Sequence, residues 1–426
     1  MRAFAATALH GPPFTARVNA YTDRAAERRA QWAATVGLVG SPDAASRLGR
    51  ANAAELAGRA CPDADPDRLV LVTDLITWLF AFDDSCDDDG LGADPGRLSP
   101  VVARLLDVVD LAGGDVPAHA LPPAGPVGVA LHDLCRRVRD RDRPGLLLRF
   151  TAELRGYLLS LLWEAANREH LRVPTVAEYR QMRRHTGAVH PSFTLTDIAH
   201  DAVPDATWTV DPRLSELDRL AADLVCWCND VFSYDKERRL GPNGHNLAMS
   251  IAAEGDGDEE AALAEAAKLF NAGLDAYLEL EAAVLADADP EVARFTAARR
   301  CWIRGTYDWS MRASRDHGPP RRAGVRPSPP YPGRSGRADR RVRLTRRVRL
   351  TRRVLRRPGP AGQQEGVSEG HHQQTEVHPE GGVHRRTEGV DQRAAAATGR
   401  VAAARPGRRS RLAQQVEEDR PQHGEA

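Results

Sequence analysis

Apolar positions recur at helical spacing through most of the chain. The runs RLVLVTDLITWLFAF (68–82), PGLLLRFTAELRGYLLSLLWEAANREH (144–170) and EEAALAEAAKLFNAGLDAYLELEAAVL (259–285) bring their apolar side chains back every three or four residues. That period places them along one face of an α-helix. Alternation with period two, the mark of a half-buried strand, is scarce. Gly, Pro and Asn interrupt the pattern at 91–100, 125–130, 172–179 and 241–246, which reads as breaks between helices. The pattern predicts an all-α fold within residues 1–315, a single domain of many helices bundled about one core.

The pattern stops near Asp316. Beyond it there is no Phe or Trp and a single Tyr, Tyr331, among abundant Pro, Gly, Gln and Arg. Such a composition lacks the apolar surface that offsets chain entropy, so residues 316–426 read as a disordered C-terminal tail. Charge reverses at the same place. Lys plus Arg number 35 against 47 Asp plus Glu in residues 1–315, and 24 against 12 in residues 316–426, so the neutral total joins two oppositely charged polymers. The hexamer RVRLTR at 341–346 repeats at once at 347–352, a low-complexity unit too short for a solenoid. Twelve arginines between Arg334 and Arg357 would attract phosphates, but no aromatic residue interleaves them, so no specific nucleic-acid recognition is expected.

The longest apolar run, 69–82, contains Asp74 and is too short to span a bilayer. The N-terminal MRAFAATALHGPPF lacks the apolar stretch of an export signal, and a cytoplasmic location without a membrane is the expectation. Six cysteines (61, 86, 135, 226, 228 and 301) show no zinc spacing and read as free, buried thiols.

Two oxygen-rich clusters change the picture. In DDSCDDD (83–89), Asp83 and Asp87 lie four apart on one helix face. At a separation of about 6 Å and an effective dielectric near 20, two such carboxylates repel by about 3 kcal/mol. They also end a helix, where the macrodipole disfavours anions. A solubilising turn would explain Asp88 and Asp89, but not a cluster directly after WLFAF; a bound cation would. In NDVFSYDKE (229–237), Asn229, Ser233 and Glu237 stack at intervals of four and present oxygen donors only, which suits a hard cation such as magnesium. Polar residues so spaced are also ordinary on a solvated helix face. Two such clusters on two helices point to a polynuclear magnesium site that clamps an anion.

The motifs carry a resemblance. DDSCD resembles the aspartate-rich motif of class I terpene synthases, and NDVFSYDKE resembles their N-D-x-x-S-x-x-K-E metal motif at every fixed position. WEAANREHLRVPTVAEYRQMRRHTG (163–187) resembles the family's W-E-x-x-x-R, P-x-x-x-E-Y and R-x-x-T-G run, and Arg183 precedes Asn229 by the 46 residues that separate the family's diphosphate-sensing arginine from its metal motif. CWIRGTYDWSMRASR (301–315) resembles W-x-R-G-x-x-D-W-S followed by an Arg-Tyr pair. The likeness covers residues 12 to 315.

What the resemblance implies is a class I terpenoid synthase helical bundle in which Asp83, Asp87, Asn229, Ser233 and Glu237 hold magnesium (Mg2+), three ions in all. It implies that Arg183, Lys236 and Arg315 donate hydrogen bonds to the diphosphate, and that Asp84 turns away towards a basic residue. It places a helix break at Thr186 and Gly187, with the Gly187 carbonyl facing the substrate. Phe80, Phe82, Trp302 and Trp309 are candidates for an aromatic cavity wall, packing being the commoner role of such rings. The implied partner is a prenyl diphosphate substrate, farnesyl diphosphate first, with geranyl and geranylgeranyl diphosphates as alternatives; a homodimer is compatible with it.

A chain-elongating prenyl diphosphate synthase would carry a second aspartate-rich motif where Asn229, Ser233 and Glu237 stand. An inactive helical scaffold with a basic tail is the alternative from another class. One departure from the family pattern matters: its Arg-Tyr pair reads Arg315-Asp316 here, where the composition also changes. Out-of-frame translation of a GC-rich gene yields Arg, Pro, Gly and Ala, so the coincidence points to a reading-frame slip, a genuine acquired tail being the alternative. Removing residues 317–426 should move the melting temperature by no more than about two degrees, because a segment without buried apolar area contributes little to folding. In the truncated chain Asp316→Tyr should raise turnover, since a tyrosine hydroxyl donates to a diphosphate where an aspartate repels it. Loss of folding on truncation, or lower turnover with the tyrosine, would assign the tail to the working protein.

Overall fold

The computed structural model describes residues 7–87, 90–202, 210–240 and 245–316. Its helices are α1 (Thr22–Thr35), α2 (Pro42–Ala51), α3 (Ala53–Ala60), α4 (Pro66–Asp87), α5 (Pro95–Asp110), α6 (Gly125–Arg139), α7 (Pro144–Glu169), α8 (Val176–Thr186), α9 (Val189–His200), α10 (Pro212–Leu240), α11 (Leu247–Glu254), α12 (Glu259–Leu285) and α13 (Pro290–Asp316). No strand occurs among the described residues. The tail expected to be disordered lies, after Asp316, outside them.

The runs at 144–170 and 259–285 form α7 and α12 almost to the residue, and the run at 68–82 lies within α4, which continues to Asp87. The breaks fare less well. Residues 125–130 are not a break but the opening of α6, and α5 begins at Pro95, inside the interruption read at 91–100. In both helices a proline occupies the first turn, where its missing N–H is one the helix leaves unpaired anyway. Proline marks a start at these places. Residues 172–175 do separate helices, and the Thr175 hydroxyl caps α8 by accepting from the Glu178 N–H at 3.2 Å. Of the fourth break, residues 241–244 lie outside the described ones and Asn246 caps α11.

Helix α10 runs along α12 and α13 and also touches α8, α9 and α11. Helix α4 packs on α1, α3, α6 and α9, while α7 packs on α5, α6, α8 and α9. Leu75, Trp78 and Phe82 of α4, Phe150 and Leu154 of α7, Phe193 of α9 and Phe270 and Tyr277 of α12 are buried in the shared core. Gly305 lets α13 lie tight against α3, since a Cβ there would stand 3.0 Å from Arg59 Cβ and 3.2 Å from its backbone carbon. None of the six cysteines is in a disulfide; Cys61, Cys86, Cys135, Cys226 and Cys228 are buried, as expected, and Cys301 is half-buried. No helix among the described residues is long and apolar enough to cross a membrane.

The interior also holds charge. Arg299 of α13 is fully buried and forks onto the equally buried Asp197 of α9, Nη1 to Oδ1 at 2.5 Å and Nη2 to Oδ2 at 3.1 Å. Its Nε donates to Asp218 of α10 at 2.5 Å, and its guanidinium lies over the Phe193 and Phe295 rings at 4.3 and 4.0 Å. Arg149 of α7 donates to Asp197 Oδ2 at 2.9 Å and to Glu153 at 3.0 Å. Four helices are thereby tied through their polar atoms. Removing one partner from such a network strands the others, so Asp197→Asn should cost about 3–5 kcal/mol of unfolding free energy. Urea titration of both proteins measures it, and equal midpoints and slopes would show that the network adds no stability.

Candidate active site

Asn229 and Asp230 are neighbours in α10, so helical geometry points them about 100° apart. Asn229 joins Ser233 and Glu237 on one face. Asp230, fully buried, faces α8 and α11. Its Oδ1 accepts from Arg183 Nε at 2.9 Å, and its Oδ2 accepts from the Tyr179 hydroxyl at 2.8 Å and from the Leu247 N–H at 3.3 Å. A second prong of Arg183, Nη2, donates to Asn229 Oδ1 at 2.8 Å. Burial alone would push the Arg183 pKa down, but the Asp230 charge overcomes it and holds the guanidinium well above its ordinary value. Arg183 is therefore a fixed, charged fork at the end of α8, beside the first residue of the α10 row.

The far end of the row is Glu237. Its Oε1 accepts from the Ser233 hydroxyl at 2.5 Å and its Oε2 from the Asn246 amide at 3.0 Å. Burial pushes its pKa up to about 7, Asp230 adds to the rise, and Arg183, Ser233 and Asn246 oppose it. A carboxylate disfavoured by burial and by a second carboxylate gains from a nearby cation, and the amide, hydroxyl and carboxylate oxygens of Asn229, Ser233 and Glu237 form a hard-cation donor set. The residues present fit a divalent metal. Among the described residues no three His, Cys, Asp or Glu side chains converge as a metal cluster; this row draws on an amide and a hydroxyl instead.

At the end of α4, Asp83 is exposed and Asp84 is half-buried, its Oδ2 3.5 Å from Arg47 Nε of α2. The turn of Asp84 towards a basic residue is thus present. Asp87 is the last residue of α4, and its side chain, like Asp88 and Asp89, lies outside the described ones. Lys236 is exposed on α10. Arg315 belongs to the last turn of α13 and its side chain also lies outside the described ones; Arg312, one turn earlier, donates to Glu55 of α3 at 2.9 Å.

The four candidate aromatics divide into pairs. Phe80 and Trp309 are half-buried and stacked between α4 and α13, centroids 6.1 Å apart and planes 17° from parallel. Phe82 is 1% exposed and stacks on Trp78 at 5.7 Å, and Trp302 is 4% exposed with its indole N–H on the Thr196 hydroxyl at 2.6 Å. The latter two have packing partners in the core. The helix break behind Arg183 is present as expected: α8 ends at Thr186, and the chain turns through Gly187 and Ala188, whose φ is +50°, into α9. A Cβ on Gly187 would stand 3.0–3.1 Å from the Arg183 carbonyl oxygen, Arg183 Nη1 and Cys226 Sγ, so only a residue without one lets this break press against α10.

Several framing residues escaped the sequence reading. Arg172 forks onto Glu178 with two bonds of 2.7 Å, and Trp163 Nε1 donates to the same carboxylate at 3.0 Å. Arg172, with Trp163 helping, holds Glu178 down at about 2. Asn167 links Arg172 Nε at 2.8 Å to His245 Nε2 at 3.2 Å. The W-E-x-x-x-R and P-x-x-x-E-Y stretch is thus the brace that carries Tyr179 to Asp230. Asp230 had a signal, an acid beside Asn229 turned about 100° from it around the helix. Asn246 had one too, as an asparagine directly before the apolar run LAMSI, the mark of an N-cap.

The chain is similar to known proteins over most of its helical length. The family described as terpene synthase family 2, C-terminal metal binding, matches residues 74–276. A (+)-T-muurolol synthase of Roseiflexus castenholzii, described as cyclizing (2E,6E)-farnesyl diphosphate, is 31% identical over 324 residues, 71% of this chain and 91% of that protein. A 10-epi-cubebol synthase of Sorangium cellulosum is 32% identical over 288 residues, 66% of this chain and 88% of its own length. Among solved structures, a cucumene synthase variant superposes with a TM-score of 0.62 at 27% identity, covering 70% of this chain and 99% of its own. A buried Asp-Arg clasp beside an oxygen-only row, the ordered motifs and these matches over most of the helical region have one reading: the chain belongs to the terpene synthase family.

Proposed function

We propose that the protein, in the cytoplasm, ionises farnesyl diphosphate with three magnesium ions and cyclises the resulting cation to a sesquiterpene. The observation that carries this reading is the charged Arg183 fork fixed beside the Asn229, Ser233 and Glu237 row. Relatives whose names specify cyclisation of (2E,6E)-farnesyl diphosphate support that substrate over the geranyl and geranylgeranyl homologues.

In this reading Asn229, Ser233 and Glu237, together with Asp83 and Asp87, would hold the metal. Magnesium, when bound, neutralises the charge that develops on the leaving diphosphate. Arg183, Lys236 and Arg315 donate N–H groups to the diphosphate oxygens, Arg183 with a plane already set by Asp230 and Asn229. The allylic C–O bond breaks, its electron pair leaves with the diphosphate, and an allylic cation remains. A distal double bond of the same chain then attacks the cation and closes a ring. Loss of a proton, or capture of water, ends the sequence. Phe80 and Trp309 offer ring faces to the cation, Phe82 and Trp302 complete the apolar wall from the core side of their helices, and Gly187 turns its carbonyl towards the cation. Together these side chains exclude water while the cation lives.

Residues 1–315 form the catalytic domain in this account and residues 316–426 an appended segment. The muurolol synthase match supports the division, spanning 91% of that protein and only 71% of this chain.

Glu237→Gln and Asn229→Ala should each abolish diphosphate release while circular dichroism keeps its helical signal, because they remove a ligand and no packing. Full turnover in either variant, or in excess EDTA, would contradict the metal mechanism. Arg183→Lys should lower turnover about tenfold or more, since a point-like ammonium cannot keep Asp230 and Asn229 and still serve the diphosphate. Wild-type turnover in that variant would remove Arg183 from the site.

A further inference from the structure

We propose that Asn246 is a positioning residue: its buried amide aims the Glu237 carboxylate at the metal, so the first turn of α11 sets the site's affinity for the divalent cation. This rests on the reading of Glu237 as a metal ligand. Asn246 is fully buried. Its Nδ2 donates to the Asp230 carbonyl oxygen at 2.8 Å and to Glu237 Oε2 at 3.0 Å, while its Oδ1 accepts from the Ala248 N–H at 3.0 Å and so caps α11. Only one orientation of the amide satisfies these contacts, because the flipped form would set its oxygen against two acceptors.

The choice of side chain is informative. Asp and Ser cap a helix about as well as Asn, but neither of them can donate from an amide nitrogen to a carboxylate at the same time. The donor is the feature a cap does not need. Glu237 has three side-chain torsions to fix before its oxygen is aimed. Ser233 holds one of its oxygens from within α10, itself in the ligand row, and Asn246 holds the other from a different helix. Losing such an outer partner typically weakens metal affinity about 10–100-fold.

The test titrates Mg2+ into the full chain at saturating inorganic diphosphate and reads the shift in melting temperature, then repeats the titration with turnover of farnesyl diphosphate. Asn246→Ser keeps the cap oxygen and loses both amide donors. Its half-saturating Mg2+ should rise about tenfold or more in both readouts. A lower melting temperature without metal, joined to an unchanged half-saturation, would reduce Asn246 to a cap and overturn the proposal. Asn246→Asp, which keeps volume and cap, should show the same rise if the serine variant does not fold; an unchanged or lower half-saturation overturns the proposal equally. Glu237→Gln in the same titration distinguishes loss of the metal ligand from loss of its positioning. An intact Mg2+ response there defeats the metal reading itself, whereas a lost response with wild-type behaviour at position 246 defeats the positioning role alone.

Discussion

A buried carboxylate must be fully satisfied, and the way Asp230 is satisfied sets the site. Its two oxygens take hydrogen bonds from Tyr179 and Arg183 of α8 and from the backbone of Leu247 at the start of α11. Unpaired, a charge so placed would cost several kcal/mol. Three helices are therefore brought to one point. Because Asn229 is the residue before Asp230 in α10, the face that carries Asn229, Ser233 and Glu237 has a fixed angular relation to the Arg183 guanidinium. A cation-binding row and an anion-binding fork are thus placed side by side, as cleavage of an ester of diphosphate requires.

A second buried network supports the same helices from deeper in the bundle. Arg299 and Asp197 are fully enclosed, and their partners Asp218 and Arg149 bring in α10 and α7. Hydrophobic packing alone lets helices slide and rotate at modest cost, whereas directional bonds between buried charges admit few arrangements. The two networks share α10. One fixes its rotation near Asp218 and the other, three turns on, near Asp230.

Much of this was legible in the sequence, and what was not has a common cause. The apolar runs gave α4, α7 and α12 because burial of a whole face leaves a periodic trace. Residues 125–130 were misread because proline and glycine open helices as well as interrupt them, and α6 starts on such a pair. The motif residues Asn229, Ser233, Glu237 and Arg183 could be named because their spacing is local or is carried by family resemblance. Asp230 and Asn246 left local signals, as a fixed motif position and a helix cap, but not their roles, which depend on partners 47 and 9 residues away on other turns or other helices. Nor does periodicity distinguish Phe80 and Trp309, stacked and half-buried, from Phe82 and Trp302, which find their partners in the core.

The central claim is that a metal-held site breaks the allylic C–O bond of a prenyl diphosphate, and product analysis tests it most directly. The protein would be incubated with geranyl, farnesyl or geranylgeranyl diphosphate, with Mg2+ or with EDTA, and both released diphosphate and the organic extract quantified, the latter by mass spectrometry. Mg2+-dependent release that is fastest with farnesyl diphosphate, with a matching amount of cyclic sesquiterpene, is the expected result. No release from any of the three, or release that persists in EDTA, would contradict it.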